Sequence, residues 1–165
     1  MKVFTQILID QVDATAMALE TVTLSYEVRQ KARFKAVTDA GEEIGVQVQR
    51  GNILRDGTLL SNEDEMIKVL AAPESLSRVI ENDSTLFAKL CYHLGNRHVP
   101  LQIDEDGCSY QHDHVLDDMI KGLGGTVVHV HDKFEPEAGA YSGHSSKNGE
   151  SHSHGHSAHS HSHSH

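Results

Sequence analysis

The stretch "DHVLDDMIKGLGGTVVHVH" (113–131) decides the fold, because its hydrophobic period changes partway along. Val115, Leu116, Met119, Ile120 and Leu123 recur at helical spacing, Asp113 offers an N-cap, and Gly122 or Gly124 offers a stop. Beyond the glycines, "TVVHVH" (126–131) alternates in the manner of a strand. His129 and His131 then lie on the face opposite Val128 and Val130; such positions read as solvated, and no role is assigned to them.

Working toward the N-terminus, the same kind of unit occurs once more. "STLFAKLCYHLG" (84–95) repeats Leu86, Leu90 and Leu94 with Phe87 and Cys91 alongside. Asp83 or Ser84 can cap it and Gly95 can end it, which predicts a helix of about three turns. "ESLSRVI" (74–80) precedes it as a strand, and "VPLQID" (99–104) and "CSYQ" (108–111) are short strands separated by "EDG" (105–107). The order β-α-β-β-α-β is the ferredoxin-like arrangement, one sheet with two helices on one face.

Upstream, the patterns have period two. "VTLSYEV" (22–28) sets Val22, Leu24, Tyr26 and Val28 on one face, "RFKAV" (33–37) alternates around Phe34, and "IGVQVQ" (44–49) groups Ile44, Val46 and Val48. Ala40-Gly41 and Asp56-Gly57 supply turns, and Pro73 ends the strand-like "EMIKVLAA" (65–72). The expected class is therefore α+β: an all-β domain over 1–72, a ferredoxin-like domain over 73–142, and a tail over 143–165. That tail, with the Ser142 before it, reads "SGHSSKNGESHSHGHSAHSHSHSH" and has almost nothing to bury. It cannot offset an ordering cost of roughly 1 to 2 kcal/mol per residue, so disorder is expected there.

Composition narrows the function. Of 165 residues, 24 are acidic and 14 basic, a formal charge of −10 with His neutral, which offers no attraction to a phosphate backbone. The two cysteines, Cys91 and Cys108, are far apart in sequence and form neither a disulfide framework nor a thiolate knuckle. The opening residues carry no export signal and no segment approaches a membrane-spanning length, so a soluble cytoplasmic protein is expected. There is no HExxH, no nucleophile elbow and no Walker A loop, and the expectation is a protein that is not an enzyme.

What remains conspicuous is histidine, with 14 copies. Eight lie in the tail: His144, His152, His154, His156, His159, His161, His163 and His165. Neutral imidazoles on a pliable chain suit Ni, Cu and Zn ions but discriminate poorly among them. Their alternation with Ser distinguishes them from the uninterrupted run of a purification tag. His112 and His114 form "HDH" at the mouth of the second helix, where residues i and i+2 of an extended segment share a face and could meet one ion. His93 suits the last turn of the first helix, where it favours the dipole. His98 follows the Gly95 stop in an exposed connection, and becomes a site only if something supplies further ligands, as a two-fold axis beside it would.

"YHLGNRHVPLQI" (92–103), "HDHVLDDMIKGLG" (112–124), "FEPEAGAY" (134–141) and "RGNILRDGTLL" (50–60), ending in a His-rich terminus, together resemble the UreE family of urease accessory metallochaperones. The resemblance implies an N-terminal domain similar to the peptide-binding domain of Hsp40-type chaperones and a C-terminal domain similar to copper metallochaperones. It implies a homodimer joined through the C-terminal domains, with a dimer of dimers around metal left open. It further implies Ni(II) as cargo and delivery to apo-urease in a complex with an accessory GTPase; on ligand chemistry, Zn(II) or Cu(II) would compete for the same imidazoles. His98 matches the family's interface ligand, contributed by both subunits; His112 and His114 match histidines that bind further metal in some members. The tail histidines match a His-rich extension of variable length, whereas His129 and His131 have no counterpart. The competing function is a nickel or zinc buffer that binds mainly through the tail.

Imidazoles must lose protons to bind metal. Metal bound through the tail should therefore fall as pH drops from about 7.5 to 6, around the reference His value. Equilibrium dialysis at several pH values measures this; stoichiometry that stays flat would remove the tail as the source of the extra sites.

Overall fold

Strand Lys2–Phe4 (β1) runs through Thr5 into Gln6–Leu8 (β2), and this short stretch belongs to two sheets at once. The computed structural model describes residues 1–8 and 19–139. The chain continues through Glu20–Leu24 (β3), Tyr26–Arg29 (α1), Arg33–Val37 (β4), Glu43–Gln47 (β5), Leu59–Ser61 (β6) and Met66–Ala71 (β7). One sheet has the order β1-β5-β4 and the other β2-β6-β7-β3, with β1 parallel to β5 and β3 parallel to β7. Between them Phe4, Val22, Leu24, Ile44, Val46, Leu60, Ile67 and Val69 form one buried cluster, drawn from alternate positions along the strands.

The expectation for "VTLSYEV" needs correction. The strand stops at Leu24, and Tyr26–Arg29 turns into a helix of four residues. The reason is tertiary: that turn carries Arg29 into the interior, where it is fully buried. There its guanidinium donates to the carbonyls of Leu24 (3.2 Å), Leu54 (3.1 Å) and Phe134, and pairs with Glu135. The Tyr26 amide donates to Glu74 Oε1 (2.6 Å), and its ring stands edge-on to Phe134 at 5.2 Å. A period-two pattern contains none of this information.

From Pro73 the chain forms Pro73–Ile80 (β8), Ser84–Gly95 (α2), Gln102–Asp104 (β9), Gly107–Gln111 (β10), His114–Gly122 (α3) and Thr126–Lys133 (β11). The sheet order is β11-β8-β10-β9, antiparallel throughout, which is the ferredoxin-like topology read from the sequence. Asp83 caps α2 by accepting from Thr85 N (2.8 Å) and Leu86 N (3.0 Å); Asp113 caps α3 by accepting from Val115 N (2.8 Å) and Leu116 N (3.3 Å). Gly124, at φ +95°, supplies the left-handed residue after α3, while Gly95 stays helical and the end of α2 falls at Asn96. Both helices cover one face, over Val79, Leu90, Leu94, Cys108, Tyr110 and Ile120. On the other face Leu76 and Val130 meet Tyr26 and Phe134, so α1 is packed against the C-terminal sheet. Gly107 allows β10 to approach β8, since a Cβ there would lie 2.1 Å from the Val79 carbonyl oxygen. Among the described residues no helix is long and apolar enough to cross a membrane.

Two outcomes follow from these contacts. Arg29→Met strips partners from three buried carbonyls and leaves Glu135 with the half-exposed Arg55, so it should cost about 3 kcal/mol or more in urea unfolding. Arg55→Met, at the rim of the same carboxylate, should cost no more than about 1 kcal/mol. The second concerns acid. Arg78 donates twice to Asp104 (2.7 and 2.9 Å), and this guanidinium holds the Asp104 carboxyl below its usual range. Its stabilisation is present above an unfolded value of about 3.9 and is lost as pH falls through the lower folded value. Melting curves should thus show Asp104→Asn losing less Tm than the parent between pH 5 and 2.

Candidate metal centre

Register aligns the first components of the site. Ser77 of β8 pairs with Tyr110 of β10 on one side and His129 of β11 on the other, making a row across three strands. Two residues along, the equivalent row is Cys108, Val79 and Val127, which packs under the helices. Side chains two apart share a face, so the Tyr110–Ser77–His129 row also faces the helices. Helix α3 starts over it, and its first turn lowers Asp117 toward the sheet, where that residue is 2% exposed.

The Asp117 carboxylate collects the row. Its Oδ1 accepts from the Tyr110 hydroxyl (2.7 Å), and its Oδ2 lies 2.8 Å from His129 Nε2 and 3.4 Å from His112 Nδ1. His112 Nδ1 is also 3.0 Å from Ser77 Oγ, and the His112 and His129 rings stand 4.3 Å apart at 63°. Burial works toward the neutral acid, but hydrogen bonds from Ser77, Tyr110 and His129, with the charge of His112, outweigh it and hold the carboxyl below its usual range. The partial positive charge of the helix N-terminus acts in the same direction. Conversely, burial followed by the Asp117 carboxylate pushes the Tyr110 hydroxyl far up, so it remains a donor at neutral pH.

His112, Asp117 and His129 each present one ligand atom within 4.8 Å of the others. Two imidazoles and a carboxylate form a donor set that first-row divalent ions accept. Thiolates are not on offer: burial pushes the Cys108 thiol far up, and pushes Cys91 up as well.

The other histidines expected to bind metal are distributed differently. His114 opens α3 and is exposed, outside this cluster. Asp113 between the two is occupied as the helix cap and keeps the extended backbone expected for "HDH" (φ −147°, ψ 116°), with the helix beginning at His114. His98 is exposed at the corner after α2, its amide donating to the Gly95 carbonyl (2.9 Å). It has φ +56° and is the sole non-glycine with positive φ among the described residues. His131 is exposed, and His93 lies half-buried with its ring edge-on to Tyr92 at 5.5 Å. His144, His152, His154, His156, His159, His161, His163 and His165, together with the expected disorder of their segment, lie outside the described residues.

Reasoning from sequence missed Asp117 and His129. The alternation in "TVVHVH" did place His129 on the face away from Val128 and Val130. What it could not supply was the register that sets that face against Ser77 and beneath the first turn of α3.

The chain resembles known proteins along nearly all of its length. The family model for the N-terminal domain of the UreE urease accessory protein matches residues 4–72, and the model for its C-terminal domain matches residues 74–165. Among curated relatives, the urease accessory protein UreE of Alkalilimnicola ehrlichii is 52% identical over 137 residues, covering 82% of this chain and 84% of that protein. UreE of Proteus mirabilis is 47% identical over 148 residues, covering 87% and 92%. UreE of Pseudomonas putida strain GB-1 is 53% identical over 123 residues, covering 73% and 74%. With both halves matched and such identity across most of each protein, the chain belongs to the UreE family of urease accessory proteins.

Proposed function

We propose that this protein is a cytoplasmic nickel carrier that acts in urease maturation. Two copies pair through their C-terminal domains, and a His98 from each grips one Ni(II) ion at the two-fold axis. Imidazoles of the His-rich tail complete the coordination. The loaded dimer, alone or paired into a dimer of dimers, passes the ion to apo-urease within a complex containing an accessory GTPase. Zn(II) and Cu(II) compete for the same ligands, since imidazole affinity follows the general first-row order.

The observation that carries this reading is the backbone of His98. A β-carbon in the left-handed region costs roughly 1 to 2 kcal/mol, and glycine would remove that cost. The fold nevertheless holds an imidazole there, exposed on a corner. Strain retained at an exposed position is accounted for if the ring has a task in a complex.

The chemistry of transfer follows from having few fixed ligands. Two imidazoles leave coordination positions open, so tail or partner donors can enter before the first pair leaves. The ion moves by stepwise exchange, with no bond-making chemistry asked of this chain.

A nickel or zinc buffer working through the tail is the contrasting function, and calorimetric Ni(II) titration separates the two. Truncation after Tyr141 should retain a tight ion shared between two chains, which His98→Ala then removes. The buffer instead predicts that truncation abolishes nearly all binding. His98→Gly should lose the same ion as His98→Ala while raising stability by about 0.5 to 1 kcal/mol, as relief of strain requires. Equal tightest-site affinity in His98→Ala and parent would overturn the carrier reading.

A further inference from the structure

The cluster at the start of α3 has the form of a site in its own right. Donors about 2.1 Å from one ion lie about 3.0 to 3.4 Å from each other, in octahedral or tetrahedral coordination respectively. Asp117 Oδ2 stands 2.8 Å from His129 Nε2 and 3.4 Å from His112 Nδ1, close to separations of that size, and all three ligand atoms lie within 4.8 Å of one another. The carboxylate is the floor, with a side chain 3% exposed, and the imidazoles of His112 and His129 form a rim that is 37% and 59% exposed. An ion can therefore enter from solvent and sit on a buried negative charge, with its remaining coordination positions facing outward.

We propose that His112, Asp117 and His129 of a single chain form a second metal site, taking a first-row divalent ion of the imidazole-binding class, Zn(II), Ni(II) or Cu(II), without His114 as a ligand.

The surrounding groups fit that use. Tyr110 ties down Oδ1, which fixes the carboxylate with Oδ2 toward the imidazoles. Ser77 Oγ lies beside both His112 Nδ1 and the Asp117 carboxylate, so its hydroxyl can turn to the carboxylate when the His112 nitrogen takes a metal. The positive end of α3 opposes a cation on its axis, and the full charge of Asp117 in the first turn answers it. Because β11, α3 and the short link before α3, all of one chain, supply the three ligands, the site needs no second copy, unlike the one proposed at His98. It stands independently of nickel delivery.

The test uses the full-length chain with the eight tail histidines changed to Ser and with His98→Ala, titrated by calorimetry with Zn(II) and then with Ni(II). One ion per chain should remain. Adding His129→Ala or His112→Ala should weaken it at least about tenfold, and Tyr110→Phe should weaken it by roughly tenfold through the loosened carboxylate. His114→Ala and His131→Ala should leave affinity within a few-fold. Absence of binding in the parent of this series, insensitivity to His129→Ala, or loss in His114→Ala would overturn the assignment. Ring-nitrogen NMR of the unsubstituted chain keeps the test independent of any folding defect. Added Zn(II) should move the His112 and His129 resonances together, whereas His112 moving with His114 while His129 stays fixed would refute it.

Discussion

A carboxylate buried under the first turn of a helix must be paired or it forces the structure apart, since an uncompensated interior charge costs several kcal/mol. Asp117 is that carboxylate, and its partners come from separate elements: the Tyr110 hydroxyl on β10, the His129 ring on β11 and the His112 ring before α3. Satisfying it fixes how α3 sits on the sheet and brings two imidazoles to the same oxygen. The interaction that stabilises the domain is thus the one that assembles a metal-ligand set.

The buried Arg29 plays the corresponding part across the molecule. Its guanidinium reaches the carbonyls of Leu24 and Leu54 in the N-terminal part and of Phe134 beyond β11, so the chain after the last strand is tied back to α1. Phe134 and Glu135, the first residues of "FEPEAGAY" (134–141), are the ones it holds. His98 is different in kind, a ring on an exposed corner with no carboxylate paired to it among the described residues. In the carrier reading, a preformed cluster suits retention, whereas a sparse corner shared between copies suits exchange.

Much of this was legible in the residues. The switch from period 3.6 to period 2 within 113–131, with caps at Asp83 and Asp113, was enough to read βαββαβ, and the sheet order agrees with it. Local signals of that kind depend on a few neighbouring residues. Two features were not legible, for one reason: both are decided by residues distant in sequence. Tyr26–Arg29 continues a strand pattern yet turns helical to bury an arginine whose partners lie up to 106 positions away. Similarly, His129 is an ordinary polar residue in an alternating strand until register places it beside Ser77 and under Asp117. The resemblance to the UreE family covered the chain but passed over His129, because that position has no counterpart in the motifs that carry it.

Delivery is tested most directly by activation of apo-urease. The protein, loaded with Ni(II) and freed of excess metal, is mixed with apo-urease and its accessory GTPase complex, in a chelator that keeps free nickel too low for spontaneous activation. Urease activity should appear with the parent chain and remain at the level of chelated nickel alone with His98→Ala. Equal activation by both proteins, or none above chelated nickel by either, would contradict a carrier that hands over its ion from His98.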